Sequence, residues 1–222
     1  MLIPAPRKPD TMVRICGVDP GTSHLGLAML DWEWGTDQAE VVWSDTVHVK
    51  DATHDTDFTE SCGKRDKRIQ QLGEAWAEFL SLARGTFFIT ETPFMLKSKL
   101  SAFESGIELQ KMLRTGLWEQ APQKFLHGIN PMMVKSFVGV ETKGTTKDDM
   151  SVAVQKLYAD HTLIDLKTLD EHSIDAIAVA NYFVRSSLLN LNNLLPPREK
   201  KPKGGVGGKK RGGFRRKWRK KK

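Results

Sequence analysis

With 222 residues, 39% of them hydrophobic, the chain has enough apolar matter for one full-sized core, and no apolar run nears the ~18 residues of a membrane span. Two cysteines, Cys16 and Cys62, exclude a disulfide framework and a zinc spacing and fit a reducing, cytoplasmic location; residues 1–10 hold three prolines and no apolar h-region, unlike a signal peptide. The net charge of +7 is unevenly spread, because Arg198 to Lys222 hold 14 of the 34 Lys/Arg and one of the 27 acids, a net of +13 that leaves −6 for the rest.

Val13 to Val18 is an apolar run that predicts a buried strand. It ends in Asp19, then a Pro20-Gly21 turn, then a second apolar run from Leu25 to Leu30. The expected hairpin holds a carboxylate at a strand end, where desolvation is costly unless a cation offsets it. Val41 to Val49 predicts a third strand, and the polar stretch Lys50 to Lys67 an exposed loop. Leu72, Trp76, Phe79, Leu80 and Ala83 recur at helical spacing, so a helix is expected over Arg68 to Ala83, stopped by Gly85. Thr86 to Thr90 predicts a short buried strand that ends in Glu91, with Pro93 preventing a clean continuation.

A long helix follows over Ser101 to Ala121, with Phe103, Ile107, Leu109, Leu113 and Leu117 as its apolar positions. Phe125 to Ile129 predicts a fifth strand. Pro131 to Phe137 predicts a short helix whose Met132 and Met133 are expected in the core. Gly139 to Thr146 predicts a loop, Lys147 to Tyr158 a helix, and Asp170 to Leu189 the last helix; Leu163 to Leu166 is too short to assign. No internal repeat is present. Hairpin strands followed by helices that alternate with two more strands imply a mixed α/β sheet with helices on both faces. From Arg198 onward, Gly, Pro and charge leave little to bury, which predicts a tail disordered when free. Its cations interleaved with Phe214 and Trp218 suit phosphates and bases.

Two carboxylates, Asp19 and Glu91, thus end predicted central strands. In the last helix His172 and Asp175 are three residues apart and share a face. Ile174, Ile177 and Ala178 mark its buried side, and Ala176 and Ala180 allow close packing on the sheet. Oxygen ligands from strands with nitrogen and oxygen from a helix suit two divalent cations that clamp a phosphodiester. Mg2+ prefers oxygen, so the imidazole admits Mn2+ more readily. Asp170 rivals His172 as the fourth ligand and is also a reasonable helix N-cap.

Five ordered segments resemble the RuvC-type Holliday junction resolvases of the RNase H-like superfamily, phage and viral members included. Gly17-Val18-Asp19-Pro20-Gly21 resembles the first-strand motif. Ile89-Thr90-Glu91-Thr92-Pro93-Phe94-Met95 resembles the second acidic motif, with an aromatic three residues after the acid. Pro131 to Gly139 resembles the segment that carries Lys135, Gly144 to Met150 the loop-to-helix motif that carries Lys147, and His172 to Ala178 the final motif. The resemblance spans Val13 to about Tyr182. It departs at His172, where many members carry Asp.

The resemblance implies a five-stranded RNase H-like domain over residues 12–190, between an extension at 1–11 and a basic tail at 191–222. It implies a crossover junction endodeoxyribonuclease that nicks branched DNA as a homodimer. Asp19, Glu91, His172 and Asp175 would hold two Mg2+ ions, with Mn2+ accepted. Lys135 and Lys147 would lie near the scissile phosphate, with Lys143 competing for the second role. Phe94 would stack on a base, Lys97 would flank the DNA, and Arg215, Arg216 and Trp218 would bind DNA from the tail. Two other readings stay open: a non-catalytic DNA-binding protein with a decayed site, and a relative of the sugar kinases and heat-shock ATPases. Asp19 to Ser23 also resembles the phosphate loop of the latter group, but those proteins duplicate the fold and only one copy fits here.

Overall fold

Strand β1 (Met12–Pro20) alternates its side chains between two buried environments, as a central strand must. Ile15 joins one hydrophobic cluster; Cys16 and Val18 join the other. The structure, a computed structural model, describes residues 12–49, 56–93, 100–140 and 146–191, without the side chains of residues 56–62, Lys147 and Leu191. β1 runs antiparallel to β2 (His24–Glu33), which runs antiparallel to β3 (Ala39–His48). On its other side β1 runs parallel to β4 (Phe87–Glu91), and β4 parallel to β5 (Leu126–Ile129). The order β3-β2-β1-β4-β5 makes the expected five-stranded mixed sheet.

Helices cover both faces. On one, α1 (Thr56–Ala83) and α2 (Leu100–Gln120) bring Leu72, Trp76, Phe79, Leu109, Leu113 and Leu117 onto Cys16, Val18, Leu25, Leu27 and Met29. The Trp76 indole N–H donates to the Leu113 carbonyl at 2.9 Å and ties the two helices together. On the other face, α5 (Glu171–Leu191) lies on β1 and β2 and is itself covered by α3 (Pro131–Phe137) and α4 (Lys147–Leu157). This double covering explains why α5 is buried nearly all round from Ser173 to Asn181. Two glycines set its approach: a Cβ on Gly17 would collide with the Ala176 carbonyl, and one on Gly26 with the His172 carbonyl.

Several expectations need correction. The stretch expected as a loop up to Lys67 is helical from Thr56, with a break at Gly63 (φ 88°). Past the break, Arg65 forms an ion pair of 2.6 Å with Glu108 of α2. Met132 and Met133, expected in the core, are 54% and 43% exposed, because the seven-residue α3 buries only Val134. Ile107 is 49% exposed, off the Leu109–Leu113–Leu117 row that meets the sheet. The unassigned stretch Leu163 to Leu166 forms no helix or strand of its own and leads into a 3-10 turn over Leu166–Thr168.

Far from the turn that carries Asp19, Arg14 and Asp31 are cross-strand partners on β1 and β2. They form a bidentate pair at 2.7 and 2.9 Å, with both residues about 2% exposed or less. Burial raises the thiol pKa of nearby Cys16, leaving it a plain core residue. Among the described residues no helix is long and apolar enough to cross a membrane.

Candidate active site

The period of two that places Gly17 and Ile89 against α5 also places Asp19 and Glu91 on that face, at the C-terminal ends of β1 and β4. Val18 pairs with Thr90, so the two carboxylates stand level on adjacent parallel strands. The N-terminus of α5 supplies the other two groups. His172 Nδ1 lies 3.0 Å from Asp19 Oδ2, both side chains being less than a fifth exposed. One turn on, Asp175 lines a cleft of about 440 Å3 together with Lys135, Asp148, Asp170 and Glu171.

Burial and mutual repulsion shape the electrostatics of these groups. Burial first, then Asp19 and Asp175, push the Glu91 carboxyl up to about 8, against the pull of Lys135. Burial first, then Asp19, push Asp175 up to about 7, with His172 and Lys135 opposing. The hydrogen bond to Asp19 raises the pKa of His172 despite burial. Burial, then the neighbouring His172, lowers that of His24. Carboxyls driven toward neutrality beside an imidazole and a lysine are a donor set that fits a divalent cation.

Asp170 stands apart from this set. Its Oδ1 accepts from the Ser173 backbone N–H at 2.9 Å and from the Thr46 hydroxyl at 2.6 Å, and its Oδ2 lies 3.0 Å from His48 Nε2. Burial pushes its carboxyl up, but these bonds together hold it at about 2. Asp170 therefore caps α5 and fastens it to β3, while His172 turns toward Asp19. That division favours His172 over Asp170 as the fourth site group.

Lys135 comes from α3, half-buried, and acts electrostatically on both Glu91 and Asp175. Lys147 begins α4 beside the same cleft, under a capping box in which the Thr146 hydroxyl and the Asp149 carboxylate each accept the other residue's backbone N–H. The side chain of Lys147 lies outside the described residues, as do Phe94, Lys97, Lys143, Arg215, Arg216 and Trp218. Gln110 donates to the Glu91 carbonyl at 2.7 Å and so steadies the end of β4 from α2.

Sequence reasoning missed two histidines. His24 opens β2 opposite His48 on β3. The His24 ring stacks on His172 with centroids 3.3 Å apart and planes at 21°, and His48 meets the His172 ring edge-on at 6.4 Å. Among the described residues, donor atoms of Asp19, His24 and His172 lie within 4.8 Å of one another. The available signal was alternation: His24 is two residues before Gly26, on the strand face that α5 covers.

The chain is similar in structure to Thermus thermophilus RuvC in complex with a Holliday junction substrate, with a TM-score of 0.60 and 17% identity over 80% of this chain and 96% of that one. A second Thermus thermophilus RuvC structure gives 0.56 at 17% identity with the same coverage. The yeast mitochondrial Holliday junction resolvase gives 0.57 at 12% identity over 82% of each chain. At these identities the likeness is one of fold, and the fold is RuvC-like, within the RNase H-like class. No protein-family model and no curated protein matches the chain in sequence.

Proposed function

We propose that this chain is a metal-dependent endonuclease that nicks Holliday junctions or other branched DNA. The observation that carries this reading is the convergence of Asp19, Glu91, His172 and Asp175 at one end of a RuvC-like sheet, with Glu91 and Asp175 pushed toward neutrality by burial and by the neighbouring carboxylates. Those four residues would hold two Mg2+ ions, with Mn2+ accepted, and the ions would supply Lewis-acid activation of water and charge neutralisation for phosphodiester hydrolysis. The protein's own part is positioning. β1 and β4 fix two carboxylates, α5 fixes Asp175 and the imidazole, and the hydrogen bond between His172 and Asp19 aligns that ring. Lys135 places positive charge beside Glu91 and Asp175, where a phosphate would develop negative charge. Lys147 would take a second such role near the scissile phosphate.

The DNA contacts follow from charge. The remainder of the chain carries −6, so affinity for phosphates falls to the +13 tail, with Arg215 and Arg216 on the backbone and Trp218 on a base. Phe94 would stack where strands exchange, and Lys97 and Lys143 would flank the duplex. A four-way junction presents two symmetric scissile sites, which suits a homodimer. In this layout residues 1–11 extend a nuclease domain over 12–190, and 191–222 form the DNA-binding tail. Such an activity belongs to DNA recombination and repair. Gel assays with four-way, three-way and linear DNA, in Mg2+, Mn2+ and EDTA, test the proposal. Metal-dependent nicks confined to branched substrates are expected. Junction binding without nicks in either ion would identify a non-catalytic binding protein instead.

A further inference from the structure

We propose that His24 is a third protein ligand of the ion held by Asp19 and His172, so that the site is built for a first-row transition ion, Mn2+ among them, rather than for Mg2+ alone. The inference rests on the metal role proposed for Asp19 and His172 and adds a residue outside the motifs read from the sequence.

Three features place the His24 ring there. Gly21 N–H donates to the His24 carbonyl at 3.0 Å and closes the turn after Asp19, so His24 returns toward the carboxylate. The ring folds over that turn, since a Cβ on Gly21 would occupy the imidazole. Gly26, two residues on, brings β2 into backbone contact with His172, which leaves His24 level with the start of α5. The outcome is a stacked imidazole pair, 3.3 Å between centroids, with Asp19 at its edge.

The donor atoms lie within 4.8 Å of one another. Three donors spaced evenly at ~2.1 Å around one ion lie about 3.6 Å apart. Closure therefore asks the three side chains to draw together and the stacked rings to turn, so that their in-plane lone pairs meet at one point. A set of two imidazole nitrogens and one carboxylate is softer than the oxygen cage that Mg2+ favours; imidazole suits Fe, Ni, Cu and Zn best, and Mn2+ accepts it more readily than Mg2+ does. The bland alternative is that His24 only packs against His172, and a stacking ring without a lone pair separates the two.

The experiment measures Mn2+ and Mg2+ binding to the full chain without DNA, by Mn2+ electron paramagnetic resonance and by Mg2+ competition. It compares the wild type with His24→Phe, which keeps an aromatic ring over His172 but has no ligand atom, and with Asp19→Asn. Loss of an outer-shell partner typically costs 10–100-fold in metal affinity. Loss of a direct ligand should cost no less, so His24→Phe should weaken Mn2+ binding by at least about tenfold. Mg2+ binding should change far less, while Asp19→Asn weakens both. Wild-type Mn2+ affinity in His24→Phe, with Asp19→Asn weakened, would overturn the His24 assignment and leave the site reading intact. Wild-type affinity in both variants would overturn the metal role of Asp19 itself. Should His24→Phe fail to fold, His24→Ala replaces it and is read by ion: loss of a ligand weakens Mn2+ far more than Mg2+, whereas equal loss for both ions would mean that His24 only packs and would overturn the assignment.

Discussion

The two faces of the sheet are built by the same alternation and put to opposite uses. Under α1 and α2, β1 and β2 present Cys16, Val18, Leu25, Leu27 and Met29 to an apolar layer. Under α5, the same strands present Gly17, Asp19, His24 and Gly26 at the end where β4 presents Glu91. The first face gains from dispersion and burial, with Trp76 and Phe79 fully buried. The second holds carboxyls whose ionised forms are disfavoured by burial and by each other. The second face is also apolar over most of its length, with Ile15, Leu30, Trp32 and Ile89 against Ile174 and Ile177, so the burden is confined to its carboxylate-bearing end.

This contrast breaks most sharply at Trp76. Trp76→Ala should cost about 3–5 kcal/mol of stability, read by chemical denaturation, while nicking per folded molecule stays at the wild-type level. A changed cleavage rate in the folded fraction would show that the two faces are coupled. Next in size is Asp19→Asn. Nicking should fall by about 10²–10³-fold, the scale for losing one preorganised charge, with stability and junction binding retained. Wild-type turnover in Mg2+ would remove Asp19 from the site.

A third test reads the burden itself. Glu91 rises from 4.5 to about 8 on folding and Asp175 from 3.8 to about 7. Between those limits the folded protein binds more protons than the unfolded chain. The metal-free protein should therefore lose stability as pH rises from about 4 through 8, by at most about 1.4 kcal/mol per pH unit for each proton. Glu91→Gln should flatten that slope and raise stability near pH 8 while removing nicking. An unchanged slope would mean that Glu91 is not strained in the folded state. The smallest effect is expected at Asp170, where Asp170→Ala removes a cap worth about 1 kcal/mol and leaves metal binding in place, whereas His172→Ala lowers Mn2+ affinity. The reverse result would move the fourth ligand by two residues.

How far all this was legible varies with the range of the interaction. Asp19 and Glu91 stood out because each ends an apolar run, a signal contained in a few residues. Asp175 stood out because a carboxylate interrupts an apolar, Ala-rich helix. His24 and His48 were invisible because nothing local marks a histidine at a strand end, and their meaning comes from the β2–β3 register and the approach of α5 over Gly26. Asp170 could be read as a cap but not as an anchor, since Thr46 and His48 reach it from more than 120 residues away. The methionines of α3 differ for the opposite reason: apolar character does not bring burial on a helix that covers α5 and buries only Val134.

The buried Arg14–Asp31 pair bears on the register of the β1–β2 hairpin. The hairpin register that sets Arg14 opposite Asp31 also sets Asp19 opposite Gly26. A slip of one residue would turn Asp31 to the opposite face and leave the Arg14 guanidinium buried without its carboxylate, a fault that costs about 3–5 kcal/mol when one partner of such a pair is removed. The penalty falls on the folded protein, where Arg14 is buried and also donates to the Ala83 carbonyl at the end of α1. A pair at one end of the two strands therefore holds the register that lines up Asp19 at the other end.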